Sequence, residues 1–187
     1  MKNILIAGVP RAGKTTLTIL LAKELQNYHI LSLDCIRNAF DDIFPKLEIN
    51  PRGGKNNFTD LPAFVSRMIY YNKRDLNNQF HYIIEGSQIL PDTVKELYND
   101  CIVIFLGHGE TEPQQILDNI RKYDTPNQYS YKRNDETMLK SIIKHVKIDD
   151  EIREKCREYG FRYVDTSSNR IEKLKELVEE LKKKIRE

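Results

Sequence analysis

The segment Gly8-Val9-Pro10-Arg11-Ala12-Gly13-Lys14-Thr15 matches the pattern Gly-x-x-x-x-Gly-Lys-[Ser/Thr] at every defined position. It follows an apolar run at residues 4–7 and precedes a stretch with helical spacing, so it connects a predicted strand to a predicted helix. The glycines allow the backbone to curl until successive N–H groups point inward, and the positive end of the following helix adds to the attraction for an anion. The segment therefore predicts a site for the phosphates of a nucleotide.

The chemistry of this phosphate loop (residues 8–15) is divided among a few side chains. We expect the Lys14 ammonium to reach the β- and γ-phosphates of ATP and the Thr15 hydroxyl to ligate Mg²⁺. Thr16 is the next hydroxyl and is predicted to contact the α-phosphate. Arg11 either contacts a phosphate or substrate anion, or faces solvent. Residues 8–16 thus form the predicted nucleotide-binding set, with ATP and Mg²⁺ as cofactors.

Five short apolar runs set the expected fold class. They lack polar alternation, which is typical of strands buried on both faces of a parallel sheet. Segments with helical spacing separate them, so strand and helix alternate and predict a doubly wound α/β sheet. A chain of 187 residues fits one domain over 1–187. The runs are residues 4–7, 29–33, 82–84, 101–106 and 161–164.

Two connections, 35–80 and 107–160, are longer than is usual between adjacent elements. Insertions at the carboxyl edge of a parallel sheet bind ligands, although crossover helices with surface loops are the alternative. The 35–80 connection carries several cations, and we expect its aromatics Phe40, Phe44 and Phe58 to belong mostly to the core. Near the C-terminus, apolar residues at helical spacing predict a helix packed on the sheet, with a dimerisation seam as the alternative. These residues are Ile171, Leu174, Leu177, Val178, Leu181 and Ile185.

Composition narrows the partners and the compartment. The formal net charge is only +2, so no global field draws the chain to nucleic acid or anionic lipid, and a small-molecule partner is favoured. No apolar run is long enough to span a bilayer. The three cysteines, at 35, 101 and 156, have no metal-ligand spacing and suit free thiols in a reducing compartment. We therefore expect a cytoplasmic protein without a membrane anchor.

One motif points to a different class of protein and is rejected. Asn72-Lys73-Arg74-Asp75 matches the guanine-recognition pattern of GTPases, but it lies before the third strand, within a predicted helix over 61–78. The Asp-x-x-Gly motif expected of a GTPase occurs nowhere in the chain. Motor ATPases usually have four apolar residues followed by Asp-Glu, and the chain has no such run.

Acidic residues follow the second and third predicted strands. Asp34 comes directly after the second strand, and a helix that starts there would place Arg37 one turn away. This pair suits a carboxylate that positions an acceptor hydroxyl and a guanidinium that binds an anionic group, while a helix N-cap is the alternative for Asp34. Glu85 ends the third strand and is a candidate to hold Mg²⁺ or orient a substrate hydroxyl, with a plain strand-end residue as the alternative.

Four segments together resemble P-loop kinases related to adenylate, shikimate and gluconate kinases and to zeta-toxin-like kinases. They are the phosphate loop, the Asp34-x-x-Arg37 pair, the Glu85-Gly86 strand end, and Tyr163-Val164-Asp165-Thr166-Ser167 at the fifth strand. The resemblance implies a three-layer P-loop fold with sheet order 2-3-1-4-5 and helices on both faces. It also implies that 35–80 binds the acceptor and that 107–160 contains a helical lid that supplies arginines.

The resemblance extends to individual roles. Arg121 is the first choice to stabilise charge on the transferred phosphoryl group and Arg133 the second, although the paired arginines common in the family are absent. Residues 166–170 are expected beside the nucleotide base. The catalytic prediction is Lys14, Asp34 and Arg121, the substrate-binding prediction is Asp34, Arg37 and Glu85, and the metal-binding prediction is Thr15 and Glu85. The predicted activity is transfer of the ATP γ-phosphoryl group to a small molecule, with a nucleoside triphosphate hydrolase or a nonenzymatic nucleotide-binding module as alternatives.

Overall fold

The computed structural model describes residues 2–77, 79–123, 125, 126, 128 and 130–186. A five-stranded parallel sheet forms its centre, with the strand order β2-β3-β1-β4-β5. The predicted order is therefore confirmed. The strands are β1 (Ile4–Gly8), β2 (Tyr28–Ser32), β3 (His81–Glu85), β4 (Ile102–Gly107) and β5 (Arg162–Asp165).

Helices cover both faces of the sheet. The two helices nearest the ends of the chain, α1 and α7, contact each other, while α4 contacts both α3 and α6. The helices are α1 (Lys14–Glu24), α2 (Leu33–Ile43), α3 (Asp60–Asp75), α4 (Pro91–Leu97), α5 (Pro113–Tyr123), α6 (Asp135–Tyr159) and α7 (Arg170–Arg186), with a 3-10 turn at Pro45–Leu47. No helix in the described part of the chain is both long and apolar enough to cross a bilayer.

The central strand β1 is buried along its whole length because β3 and β4 flank it and helices cover both faces. The expectation of strands buried on both faces is wrong for β2, where His29 and Ile30 are exposed. This strand lies at the edge of the sheet and pairs with β3 alone. Leu33, predicted to end the strand, instead begins α2 and is fully buried.

The Asn72 to Asp75 motif lies in the last turn of α3, as predicted, and Asn72 donates from Nδ2 to the Phe80 carbonyl oxygen at 2.8 Å. The helix ends at Asp75, and Asn78, its predicted end, lies outside the described residues. The core assignment is wrong for Phe44 and Phe58, which are 53% and 47% exposed. Both lie in the 44–59 connection, where Ile49 rather than either phenylalanine packs into the main core.

The helix predicted near the C-terminus packs as expected. Leu174, Leu177, Val178 and Leu181 are buried in the main core, whereas Ile171, in its first turn, is 46% exposed. A second, smaller apolar cluster joins α5 to the first half of α6. We call this unit the α5–α6 hairpin; its buried members are Ile116, Leu117, Ile120, Met138 and Ile142.

Gly8 illustrates how tightly the end of β1 is packed. Its φ is +115°, and a Cβ at this position would come within 2.0 Å of the Leu106 carbonyl oxygen on β4. We expect Gly8→Ala to lower the free energy of unfolding by roughly 3 kcal/mol or more, because backbone strain and a clash with a strand combine. Gly53→Ala is the matched control. Its φ is +94° and a Cβ there would meet no atom within 4 Å, so the free energy of unfolding should fall by only about 1 kcal/mol. Equal losses in urea denaturation would contradict the role of the Leu106 contact.

Candidate phosphate and acceptor site

The phosphate loop turns sharply between β1 and α1. Gly8, Arg11 and Gly13 all have positive φ values, of 115°, 67° and 97°. Gly13 is the N-cap of α1, and its carbonyl accepts the Leu17 N–H at 2.9 Å, which closes the first helical bond. The N–H groups of the first helical turn have no partner within the helix itself, so they present the positive end of α1 toward the loop.

Three carbonyl oxygens of the loop are held by side chains. The Val9 oxygen accepts from Lys14 Nζ at 2.8 Å, and the Ala12 oxygen accepts from Thr166 Oγ1 at 2.7 Å. The Pro10 oxygen lies 3.1 Å from His108 Nε2, which carries the ring proton because a carbonyl can only accept. Fixing these carbonyls leaves the loop N–H groups to define the anion-binding side.

Lys14 is buried at the start of α1. Burial lowers the pKa of its ammonium to about 8, against the opposing charges of Glu85, Asp34 and Asp149. Glu85 ends β3, Asp34 lies in the first turn of α2 and Asp149 lies on α6, so three parts of the fold meet at this lysine. Desolvation outweighs these attractions, so a nearby anion would further stabilise the charged ammonium.

Thr166 and Arg170 bring the segment after β5 to the phosphate loop. Besides Ala12, Thr166 Oγ1 donates to the Gly107 oxygen at 3.0 Å, although one hydroxyl proton serves only one acceptor at a time. The Arg170 side chain and Leu174 lie next to Gly13, 3.3 and 3.2 Å from the position of a Cβ there. The structure thus brings Thr166 and Arg170 to the loop, and the contact of residues 166–170 with a nucleotide base stays a prediction.

His108, Asp149 and Tyr163 form a buried network behind the loop, and sequence reasoning missed all three as site residues. Asp149 Oδ2 accepts the His108 backbone N–H at 2.6 Å, and Oδ1 accepts the Tyr163 hydroxyl at 3.0 Å. Burial lowers the pKa of His108 to about 4, so its ring is neutral at pH 7. The only available sequence signal was the position of His108, directly after β4 at the carboxyl edge of the sheet.

Burial also raises the pKa of the Asp149 carboxyl to about 6, from its usual value of 3.8. The native state therefore binds this proton more tightly than the unfolded chain. Ionisation of the buried carboxyl lowers the free energy of unfolding, and this loss is absent below pH 3.8 and complete above about pH 6. Asp149→Asn has no charge at any pH. We expect its free energy of unfolding, relative to wild type, to rise as the pH increases across this window.

Urea denaturation of wild type and Asp149→Asn at several pH values measures this difference. Glu151→Gln is the control, because Glu151 is exposed on the same helix and its substitution should leave the pH dependence nearly unchanged. A difference between Asp149→Asn and wild type that stays constant across the window would contradict the assigned titration.

The acidic candidates on the β2 and β3 side come together. Asp34, in the first turn of α2, contacts Arg37 Nη1 at 2.9 Å and accepts from Gln88 Nε2 at 2.8 Å. Ser32, not Asp34, is the N-cap of α2, so the N-cap alternative for Asp34 is wrong. Gln88 is a site neighbour that sequence reasoning missed, and no spacing pattern distinguished it. The buried Glu85 carboxylate accepts from the Ser32 hydroxyl at 2.7 Å.

Arg121 occupies a different kind of environment. Its guanidinium donates to Asp135 Oδ1 at 2.7 Å and to the carbonyl oxygens of Ser130 and Arg133 at 2.7 and 2.6 Å. These bonds join the end of α5 to the segment before α6 and brace the α5–α6 hairpin. The contact of Arg121 or Arg133 with a transferred phosphoryl group stays a prediction.

The oxygen donors at this site fit a magnesium ion. Within the described ranges no cluster of three or more His, Cys, Asp or Glu side chains could hold a metal. Magnesium needs no such cluster, because it keeps several waters and binds through one or two protein oxygens together with substrate phosphates. The exposed Thr15 and the buried Glu85 supply oxygen donors of this kind.

Solved structures with the same fold include two shikimate kinases. The enzyme from Bacteroides thetaiotaomicron has a TM-score of 0.58 and 16% identity, over 100% of this chain and 99% of that chain. The enzyme from Acinetobacter baumannii, solved in complex with shikimate, has a TM-score of 0.58 and 19% identity, over 99% and 93%. A tunicamycin resistance protein from Deinococcus radiodurans has a TM-score of 0.56 and 13% identity, over 98% and 95%.

These likenesses confirm the predicted P-loop kinase-like fold over the length of the chain. At such identities they show the fold alone, since one fold hosts many activities. No protein-family model matches the chain, and no curated protein sequence matches it. The function therefore has to be inferred from the residues of the site.

Proposed function

We propose that this protein is an ATP- and Mg²⁺-dependent kinase that transfers the γ-phosphoryl group to a hydroxyl or phosphate of a small molecule. The observation that carries the proposal is the position of Lys14: it is buried at the phosphate loop and lies within electrostatic range of Asp34 and Glu85. Lys14 would bind the phosphates of the donor, and the nearby carboxylates are suited to binding the acceptor. Phosphoryl transfer needs a donor site and an acceptor site side by side.

Residues 8–16 bind the nucleotide in this proposal. The loop N–H groups and the start of α1 hold the phosphates, and Lys14 neutralises charge on the β- and γ-phosphates. The carbonyls of Val9, Pro10 and Ala12 are already bonded elsewhere, which supports a loop that is shaped before the nucleotide arrives. Such preorganisation lowers the cost of binding and of stabilising the transition state.

Thr15 and Glu85 would hold Mg²⁺, which supplies positive charge to the phosphates when it is bound. The Glu85 carboxylate is already oriented by the Ser32 hydroxyl, a supporting contact of the kind that positions metal ligands. In the alternative role, Glu85 orients the acceptor hydroxyl.

Asp34 accepts or orients the proton of the acceptor hydroxyl, and Arg37 binds an anionic group of the acceptor. Gln88 and Arg37 both hold Asp34 Oδ1, so the second carboxylate oxygen is the one that we assign to the acceptor. Arg37 Nε is buried and makes no hydrogen bond to the described part of the chain, which supports its use by a bound anion. The acceptor segment is 35–80 in this proposal.

The α5–α6 hairpin acts as the lid, within the segment 107–160. Arg121 or Arg133 would stabilise charge on the transferred phosphoryl group when the lid meets the nucleotide. Free Cys35, Cys101 and Cys156 support a reducing compartment, and we propose a cytoplasmic enzyme.

Incubation with γ-labelled ATP and Mg²⁺ tests the proposal. Pools of nucleosides, sugars, hydroxy acids and short oligonucleotides are added as acceptors, and the label is followed. Transfer to one pool is expected. Release of label only as inorganic phosphate, under every condition, would favour a hydrolase and contradict the kinase, while ATP binding without any turnover would favour a nucleotide-binding module.

A further inference from the structure

His145 lies on α6 and faces the phosphate loop. It lines a cavity of about 10 Å³ together with Pro10 and Arg11 of the loop and His108 at the end of β4. The remaining walls are apolar side chains of the α5–α6 hairpin. A space of this size holds no more than about one water molecule, so the hairpin packs closely on the loop through this histidine.

The charges that act on the His145 ring are cations. Burial lowers its pKa first, and Lys14 of the phosphate loop and Arg133 of the segment before α6 lower it further. Arg11 lines the same cavity, and His108 beside it is neutral because burial lowers its pKa to about 4. Asp149, one turn along α6, has both carboxylate oxygens bonded to His108 and Tyr163. The imidazole is therefore neutral at pH 7 in the unliganded protein.

A polyphosphate at the loop would reverse this electrostatic balance. Its negative charges offset those of Lys14 and Arg133, and a phosphate oxygen offers the ring a hydrogen-bond acceptor. A nearby anion favours the charged form of histidine, and the charge-assisted hydrogen bond is stronger than a neutral one. The second ring nitrogen would take its proton from solvent. Lys14, whose pKa is about 8, would also become more protonated beside a phosphate, but equally in wild type and in a His145 variant.

We propose that His145 contacts the polyphosphate of the bound nucleotide and takes up a proton as the nucleotide binds. This inference rests on the proposed nucleotide binding and extends it to the α6 side of the site. Arg121 is engaged in bracing the hairpin, and His145 would add a cationic contact from α6. Affinity for ATP would consequently increase as the pH falls through the neutral range.

Calorimetric titration with MgATP, without acceptor, tests the inference. Each titration is run in two buffers of different ionisation enthalpy, so that the number of protons taken up per nucleotide is measured. Wild type should take up more protons than His145→Gln, and subtraction cancels protonation of the nucleotide itself. His145→Gln should bind ATP roughly tenfold more weakly at acidic pH, with a smaller difference at alkaline pH.

His29→Gln is the matched control, because His29 is exposed on the edge strand β2, and it should behave as wild type. Nuclear magnetic resonance of wild type adds a measurement that needs no variant: of the four histidine rings, that of His145 should show a higher pKa with MgATP than without it. Failure of wild type to bind ATP would overturn the proposed function together with this inference. Equal proton uptake in wild type and His145→Gln, or an unchanged His145 ring titration with ATP bound, would overturn the inference alone.

Discussion

Lys14→Ala should reduce phosphoryl transfer from ATP by roughly 1000-fold, the loss typical of removing one preorganised group from developing charge. The ammonium is buried at the loop and hydrogen-bonded to the Val9 carbonyl, and an alanine side chain supplies neither its charge nor its donors. Steady-state kinetics and ATP titration measure the effect. Lys23→Ala is the control, since Lys23 is exposed in the last turn of the same helix. ATP binding that is as tight in Lys14→Ala as in wild type would contradict the phosphate-loop assignment.

The pH dependence of Lys14 gives the same prediction a second test. Burial lowers the pKa of the free protein's ammonium to about 8, so the wild-type kcat/KM for ATP should fall above this pH. The pKa of Lys14 in the native state is below the usual 10.5. The buried ammonium therefore lowers the free energy of unfolding by its full amount below pH 8, and this loss disappears above pH 10.5. Lys14→Ala should therefore be at least as stable as wild type at pH 7. Loss of activity with a retained melting temperature separates chemistry from unfolding.

The features of this molecule that the sequence predicts are those set by residues close together along the chain. Glycine conformations and the N–H groups at a helix start explain the phosphate loop. The strand order is predicted only through the resemblance to P-loop kinases, which the loop motif and the residues at the later strand ends support. Asp34 and Glu85 were found because a residue that follows a parallel strand lies at the binding edge. Their positions relative to Lys14 depend only on strand order, which the structure confirms.

The residues that sequence missed owe their roles to distant partners. His108 meets Pro10, which is 98 positions earlier, and Asp149 meets the His108 backbone across 41 positions. No spacing rule joins such residues, because the contact exists only after α6 packs on β4. The core prediction for Phe44 and Phe58 is wrong for a different reason: hydrophobicity predicts burial only where a side chain faces the core, as Ile49 does in the same connection and these two do not.

Asp34→Asn is expected to lower kcat by roughly 100- to 1000-fold while leaving ATP affinity within about threefold of wild type. The amide keeps the shape of the side chain but loses the negative charge that would accept the proton of the acceptor hydroxyl. Asp34 lies on α2, beyond the loop that binds the donor, and acts on Lys14 only through its charge. The acceptor identified with labelled ATP serves as the substrate for the assay.

The matched control is Asp42→Asn, at an exposed position on the same helix, and it should retain full transfer. Stability separates the catalytic role from a structural one. Asp34 is not the N-cap of α2, so its neutralisation removes a first-turn charge and the ion pair with Arg37, which together should cost less than about 2 kcal/mol of unfolding free energy. A large drop in kcat with a small change in stability and in ATP affinity assigns Asp34 to the acceptor half of the site. Undiminished transfer in Asp34→Asn would move that role to Glu85, the carboxylate at the end of β3 that also acts on Lys14.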